Sequence, residues 1–239
     1  MSDTASSVEI DRYPVGVRGP LQPFAGVVCP YIGFESGHTL WLLLFESTPT
    51  PVGSYAEIWV ETPDGESTLY APSGATDFVT SYHEFDRVKE SAISWVHHEG
   101  DGYDVTMESA DGTTIDLRID FEVTRRTRVL NLLGALLPTA ISRTTIGSSI
   151  RTFLFNLLLP VGGSKVRGKT ETGVQYWVDT DRILDVSAVR ATLNGVELGG
   201  LAPSRSRTTR GDISWWENPY ALVGRVYLEY PIAGQPIIG

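Results

Sequence analysis

The sequence has one cysteine, three lysines and no apolar run approaching the length of a membrane span. A single thiol, Cys29, rules out an internal disulfide and a cysteine-built metal site. No basic side chain stands beside it in sequence, so it reads as a buried, inert residue. The longest apolar runs, Leu40 to Phe45 and Leu157 to Val161, fall far short of the ~20 residues a spanning helix needs. Met1-Ser2-Asp3-Thr4 does not begin a basic segment followed by an apolar core, so no secretory signal is expected and the protein reads as cytoplasmic. Cationic footprint is also scarce. Nineteen basic residues face twenty-nine acidic ones, a net charge of -10, which argues against nucleic acid as the main partner.

The strong catalytic signatures are missing as well. There is no G-x-S-x-G, no Walker loop, no H-E-x-x-H and no dinucleotide-binding glycine fingerprint. Val161-Gly162-Gly163-Ser164-Lys165 lacks phosphate-loop spacing and reads as a turn. His97 and His98, adjacent on a strand, point to opposite faces and cannot share one ion, so no metal site is expected.

What remains is the pattern of a folded, mainly β chain. With 239 residues, 41% hydrophobic and 20% charged, it fits one large domain or two small ones. Residues 1–20 read as a flexible N-terminal arm and 21–239 as a single domain. Leu40 to Phe45 suits a strand buried on both faces, and Tyr55 to Glu61 a strand after a Pro-Val-Gly-Ser turn. Ser91–His98, the alternation Tyr103, Val105, Met107, and the alternation Ile115, Leu117, Ile119, Phe121 predict an antiparallel meander. Val129 to Leu137 has helical spacing, ended by Pro138. Strands are expected near Phe153-Leu154-Phe155, over Gly173–Val178, Ile183–Thr192 and Val223–Tyr230, with a hairpin turn at Asn194-Gly195. The predicted fold class is therefore mainly β (α+β): one β-barrel-like domain of antiparallel strands with one or two short helices.

Charge is unevenly spread. From Val123 to Thr170 there are eight basic residues and no acidic one, leaving eleven basic and twenty-nine acidic residues elsewhere, a net of -18. Such a stretch either lies against acidic surface or meets an anionic partner.

Two segments carry a resemblance. Thr50-Pro51-Val52-Gly53-Ser54-Tyr55-Ala56-Glu57 is similar to the SPVGxYxE turn and strand of acetoacetate decarboxylase-like proteins. Phe85-Asp86-Arg87-Val88-Lys89-Glu90-Ser91-Ala92 resembles the PKxxA segment of that superfamily. Val88 stands in place of the proline, and Lys89 where the Schiff-base lysine falls. The resemblance covers roughly residues 40–125 and implies a barrel whose interior forms an apolar cavity. It implies a lyase acting on a small keto acid or carbonyl compound, without a cofactor, since the protonated imine on Lys89 serves as the electron sink. Glu57 would orient substrate or transfer protons, with Tyr55 and Arg87 as substrate-binding residues. The amine must be neutral near pH 7, a fall of about three to four units from ~10.4. Arg87, on the same strand face as Lys89, would assist. Active decarboxylases carry a second lysine where Glu90 stands here, so a degenerate site is also implied. Two alternatives stay open: a non-catalytic binder of an apolar ligand in the barrel, and a lipocalin-like or carotenoid hydratase-like protein. Homo-oligomerisation is left open as well.

Overall fold

In the computed structural model, residues 21–98, 100–136, 144–159 and 161–229 are described. The predicted arm over 1–20 and the helix stop at Pro138 lie outside them.

The alternating and all-apolar segments form strands, as their patterning requires. These are β1 (Leu21–Gly33), β2 (Thr39–Ser47), β3 (Tyr55–Glu61), β4 (Ser67–Ala71), β5 (Arg87–His97), β6 (Gly102–Ser109) and β7 (Thr114–Glu122). After them come β8 (Arg167–Lys169), β9 (Gln175–Leu193), β10 (Val196–Glu197) and β11 (Tyr220–Glu229). Three helices are described: α1 (Thr76–Tyr82), α2 (Arg125–Leu136) and α3 (Thr145–Leu158). Starting at β9, the sheet runs through β11, β1, β2, β3, β4, β5, β6 and β7, and β7 pairs back onto β9 to close a ring of nine strands. The predicted meander is β5–β6–β7. Asn194 and Gly195, with φ of 53° and 76°, make the β9–β10 turn in the left-handed region that an Asn-Gly pair favours.

Several sequence expectations are corrected. β4 and β5, joined through α1, run parallel, the one parallel pairing among the described strands of an otherwise antiparallel sheet. Gln175 to Leu193 is one 19-residue strand rather than two, because Asp179–Asp181 continues the pairing with β11 through a bulge at Val223/Gly224. Phe153-Leu154-Phe155 is helical. A short apolar triple has no periodicity of its own, and the run from Thr145 is started by Thr144, whose hydroxyl accepts from the Gly147 backbone N–H at 3.1 Å.

Two apolar layers result from strand parity. Leu40, Leu42 and Leu44 of β2 join Ile58, Val60, Met107, Leu117 and Val189 inside the ring. Their neighbours Trp41, Leu43 and Phe45 point outward, to a second layer with Trp59, Leu130, Phe155 and Trp216 under α2 and α3. A ring of this size is filled by its own side chains. Cys29 is buried in that filling, its thiol pushed up by burial, as an inert residue would be. Closure is tight where Gly26 faces Gly224 across β1 and β11. A Cβ on Gly26 would collide with the Leu44 carbonyl oxygen of β2. Gly26→Ala is expected to cost about 3 kcal/mol or more of unfolding free energy in urea melts, since backbone must move. A melt within error of wild type would show that the strands separate freely there.

Candidate functional site

The ligand-sized space lies outside the ring, not within it. A cavity of about 490 Å³ opens between the outer face of β1, β2, β3, β9 and β11 and the layer made by α2, α3 and the 164–170 and 213–216 loops. This corrects the expectation of an interior cavity: the inside of the ring is already filled by the side chains of the inner layer. The outward residues are larger and less able to interlock. Trp41 and Trp59 stack at 4.6 Å, Tyr31 packs on Trp41 at 4.6 Å, and Phe155 meets Trp216 edge-on at 5.6 Å.

Glu57 enters this wall because the Thr50–Ser54 turn starts β3 in the right phase. Gly53, at φ 74°, donates its N–H to the Thr50 carbonyl, and the Thr48 hydroxyl bonds the Gly53 carbonyl. Tyr55, Glu57 and Trp59 then share the outward face. Glu57 is 0% exposed. Its Oε2 accepts from the Trp59 indole N–H at 2.7 Å, and Oε1 has no hydrogen-bond partner among the described residues. Burial raises its pKa from 4.5 to about 8, against smaller opposing effects of Trp59 and Tyr55. At neutral pH the group is a carboxylic acid. Since Oε2 accepts from Trp59, the proton falls to Oε1, which is itself fully buried, and the Tyr55 side chain interacts with the same carboxyl. Tyr55 itself is buried beside it, edge-on to Phe45 at 5.6 Å.

A second polar group reaches the wall from α1. The helix ends at Tyr82 and the extended backbone of His83 turns its ring against Trp59, 4.7 Å between centroids. His83 Nδ1 lies 3.0 Å from Glu171, which also accepts from the Glu84 backbone N–H and pairs with Arg210 at 3.1 Å. Burial lowers the His83 pKa despite Glu171, and nearby Arg210 adds to the lowering. Burial opposes ionisation of Glu171, but the hydrogen bonds from His83 and Glu84 hold it at about 2. The pair is thus a neutral imidazole donating Nδ1–H to a carboxylate, which leaves Nε2 as an acceptor.

Other polar groups on the wall are matched. Arg151 pairs with Asp179 at 2.9 Å, Lys165 with Asp212 at 2.6 Å and Arg225 with Asp181 at 4.0 Å. Asn131 bonds both backbone groups of Ile183. Ser164 accepts from the Trp216 indole at 2.6 Å.

Of the four residues singled out from sequence, Tyr55 and Glu57 come together and the other two do not join them. Ile58 registers with Tyr70, and Tyr70 with Lys89, so Lys89 shares a face with Ile58 and lies opposite to Glu57. Lys89 is not among the cavity's lining residues. Its amine contacts Asp111 at 2.6 Å and Thr113 at 3.3 Å, and sits 5.6 Å from the Tyr70 ring centre. Hydrogen bonding to Asp111 raises its pKa, the reverse of what imine chemistry needs; Arg87 opposes this only weakly. Arg87 is turned to solvent and bound to Glu66. Asp111 is readable in sequence only as a turn residue. The β5–β6 register, Ser91 opposite Ser109, is what carries that turn to Lys89. Sequence reasoning misses His83, Glu171 and Arg210 as a group, because 88 and 39 residues separate the successive partners.

No protein-family model matches the chain, and neither a curated protein nor a solved structure matches it.

Proposed function

We propose that the protein binds a small, neutral, mostly apolar molecule bearing a carbonyl-type oxygen, with the protonated Glu57 as donor to that oxygen. The observation that carries this is the buried Glu57 carboxyl, with one oxygen unpartnered among the described residues, in the wall of an aromatic-lined cavity of about 490 Å³. That volume is in the range of small-molecule sites, and a few placed polar groups in an apolar wall are their usual make-up. Burying a carboxyl oxygen that lacks a partner is costly, so a ligand acceptor that reached Oε1 would recover a hydrogen bond. Neutral ligands are favoured over keto acids because Arg151, Lys165 and Arg225 each face an aspartate. Non-catalytic binding is the reading supported best. A lyase acting through Lys89 has the two segments of resemblance behind it and the opposed faces of Lys89 and Glu57 against it.

Titration of aliphatic ketones and their matched alkanes, followed by tryptophan fluorescence, tests the proposal. Ketones are expected to bind about tenfold tighter than alkanes of equal size. The preference should vanish in Glu57→Leu and weaken in wild type as pH rises through about 8. Equal affinity for ketone and alkane, or no binding of either, would sink it. Borohydride treatment in the presence of keto acids separates the rival: no adduct on Lys89 is expected, and a reduced adduct there would restore imine chemistry.

A further inference from the structure

The helical layer that roofs the cavity has a second face, and among the described residues nothing covers it. On α3, Ile146, Ile150, Phe153 and Leu157 recur at spacings of four, three and four, which aligns them along one side of the helix. On α2, Val129, Leu132 and Leu136 do the same. Leu136 is 77% exposed, Ile146 72%, Phe153 65% and Leu157 64%, so each helix carries a row of large exposed side chains rather than a single one. The opposite sides of both helices are committed: Leu130 and Phe155 are buried against the barrel wall and line the cavity.

Charge identifies what such a face fits. It lies in the 123–170 stretch, which has eight basic residues and no acidic one in a chain of net charge -10; of the eight, Arg151 and Lys165 are paired with Asp179 and Asp212. Exposed Arg125, Arg126 and Arg128 start α2 directly beside the apolar residues. An isologous contact between two copies would bring two acid-free stretches together, with no carboxylate within them to pair the arginines. An apolar surface flanked by arginine matches instead a membrane interface with anionic headgroups, where the aliphatic side chains enter the acyl boundary and the guanidinium groups meet phosphate. No helix among the described residues is long and apolar enough to cross a membrane, so contact would be in the interfacial plane. We infer that the α2–α3 face docks on an anionic lipid surface. This goes beyond the cavity reading and can fail separately from it.

The test is flotation of the full-length protein with vesicles of phosphatidylcholine alone and of phosphatidylcholine mixed equally with phosphatidylglycerol. Binding to the mixed vesicles only, weakened by salt, is expected. Phe153→Ser/Leu157→Ser should abolish it, and changing Arg125, Arg126 and Arg128 to Gln should weaken partitioning on the order of a hundredfold. These side chains are exposed, so the thermal unfolding of both variants should match wild type. A lower melting temperature in Phe153→Ser/Leu157→Ser would mean the face is covered by the chain itself and would overturn the inference. So would failure to float with either vesicle, or a dimer in light scattering that the same variant dissolves.

Discussion

Glu57→Gln is expected to flatten the pH dependence of stability. The native carboxyl keeps its proton to about pH 8, while in the unfolded chain it ionises near 4.5. Between those values the native state binds one more proton than the unfolded state, so the wild type loses stability as pH rises, at about 1.4 kcal/mol per unit. The full stabilisation is present below 4.5 and is gone above about 8, a loss on the order of 5 kcal/mol. Glutamine has no such transition, and its amide can still accept from the Trp59 indole. His83 runs in the other direction: its lowered pKa favours the native state above its ordinary value of 6.5, and that contribution fades as pH falls. Comparing the two proteins across the same series of urea melts cancels His83 and isolates Glu57. Parallel stability curves would mean that Glu57 is solvated, and the cavity donor would be lost with it.

Arg210→Met is expected to be the most damaging single change at the rim. Arg210 is 7% exposed, donates to Glu171 and to the Glu84 carbonyl, and lies 4.8 Å from the Phe85 ring centre. It fastens the 198–217 connection to the end of α1 and to the turn carrying Glu171. Its removal leaves a partly buried carboxylate with His83 and a backbone N–H only, which costs about 3 kcal/mol, the lower end for a stranded charge. For a domain of this size that is roughly a 10 °C fall in melting temperature. Adding Glu171→Gln should restore part of the loss, because the stranded charge is then gone. If the double variant is as unstable as the sum of the two single ones, the pair is not coupled and His83 has no ionised partner.

Much of the architecture is legible in the amino-acid sequence. Alternation in Ile115–Phe121 and the Asn194-Gly195 pair specify the β7 strand and the β9–β10 turn locally, because the period of side chains and the sign of φ are properties of a few consecutive residues. The apolar run of β2 announces a strand covered on both sides. α3 is not legible, since its exposed apolar side removes the polar face by which a helix is recognised.

The site divides in the same way. Sequence alone determined that Tyr55, Glu57 and Trp59 share one strand face, and that 123–170 carries cations only. It did not determine which side of the sheet that face meets. Register across β3, β4 and β5 decided that Lys89 lies opposite Glu57. Ring closure decided that the inner face would be filled and the outer one hollow. Only the packing of distant segments brought Glu171 and Arg210 to His83. The physical reason is common to all three: parity and propensity act between neighbours in the chain, whereas burial, and with it the protonation state of Glu57, is set by everything that packs around it.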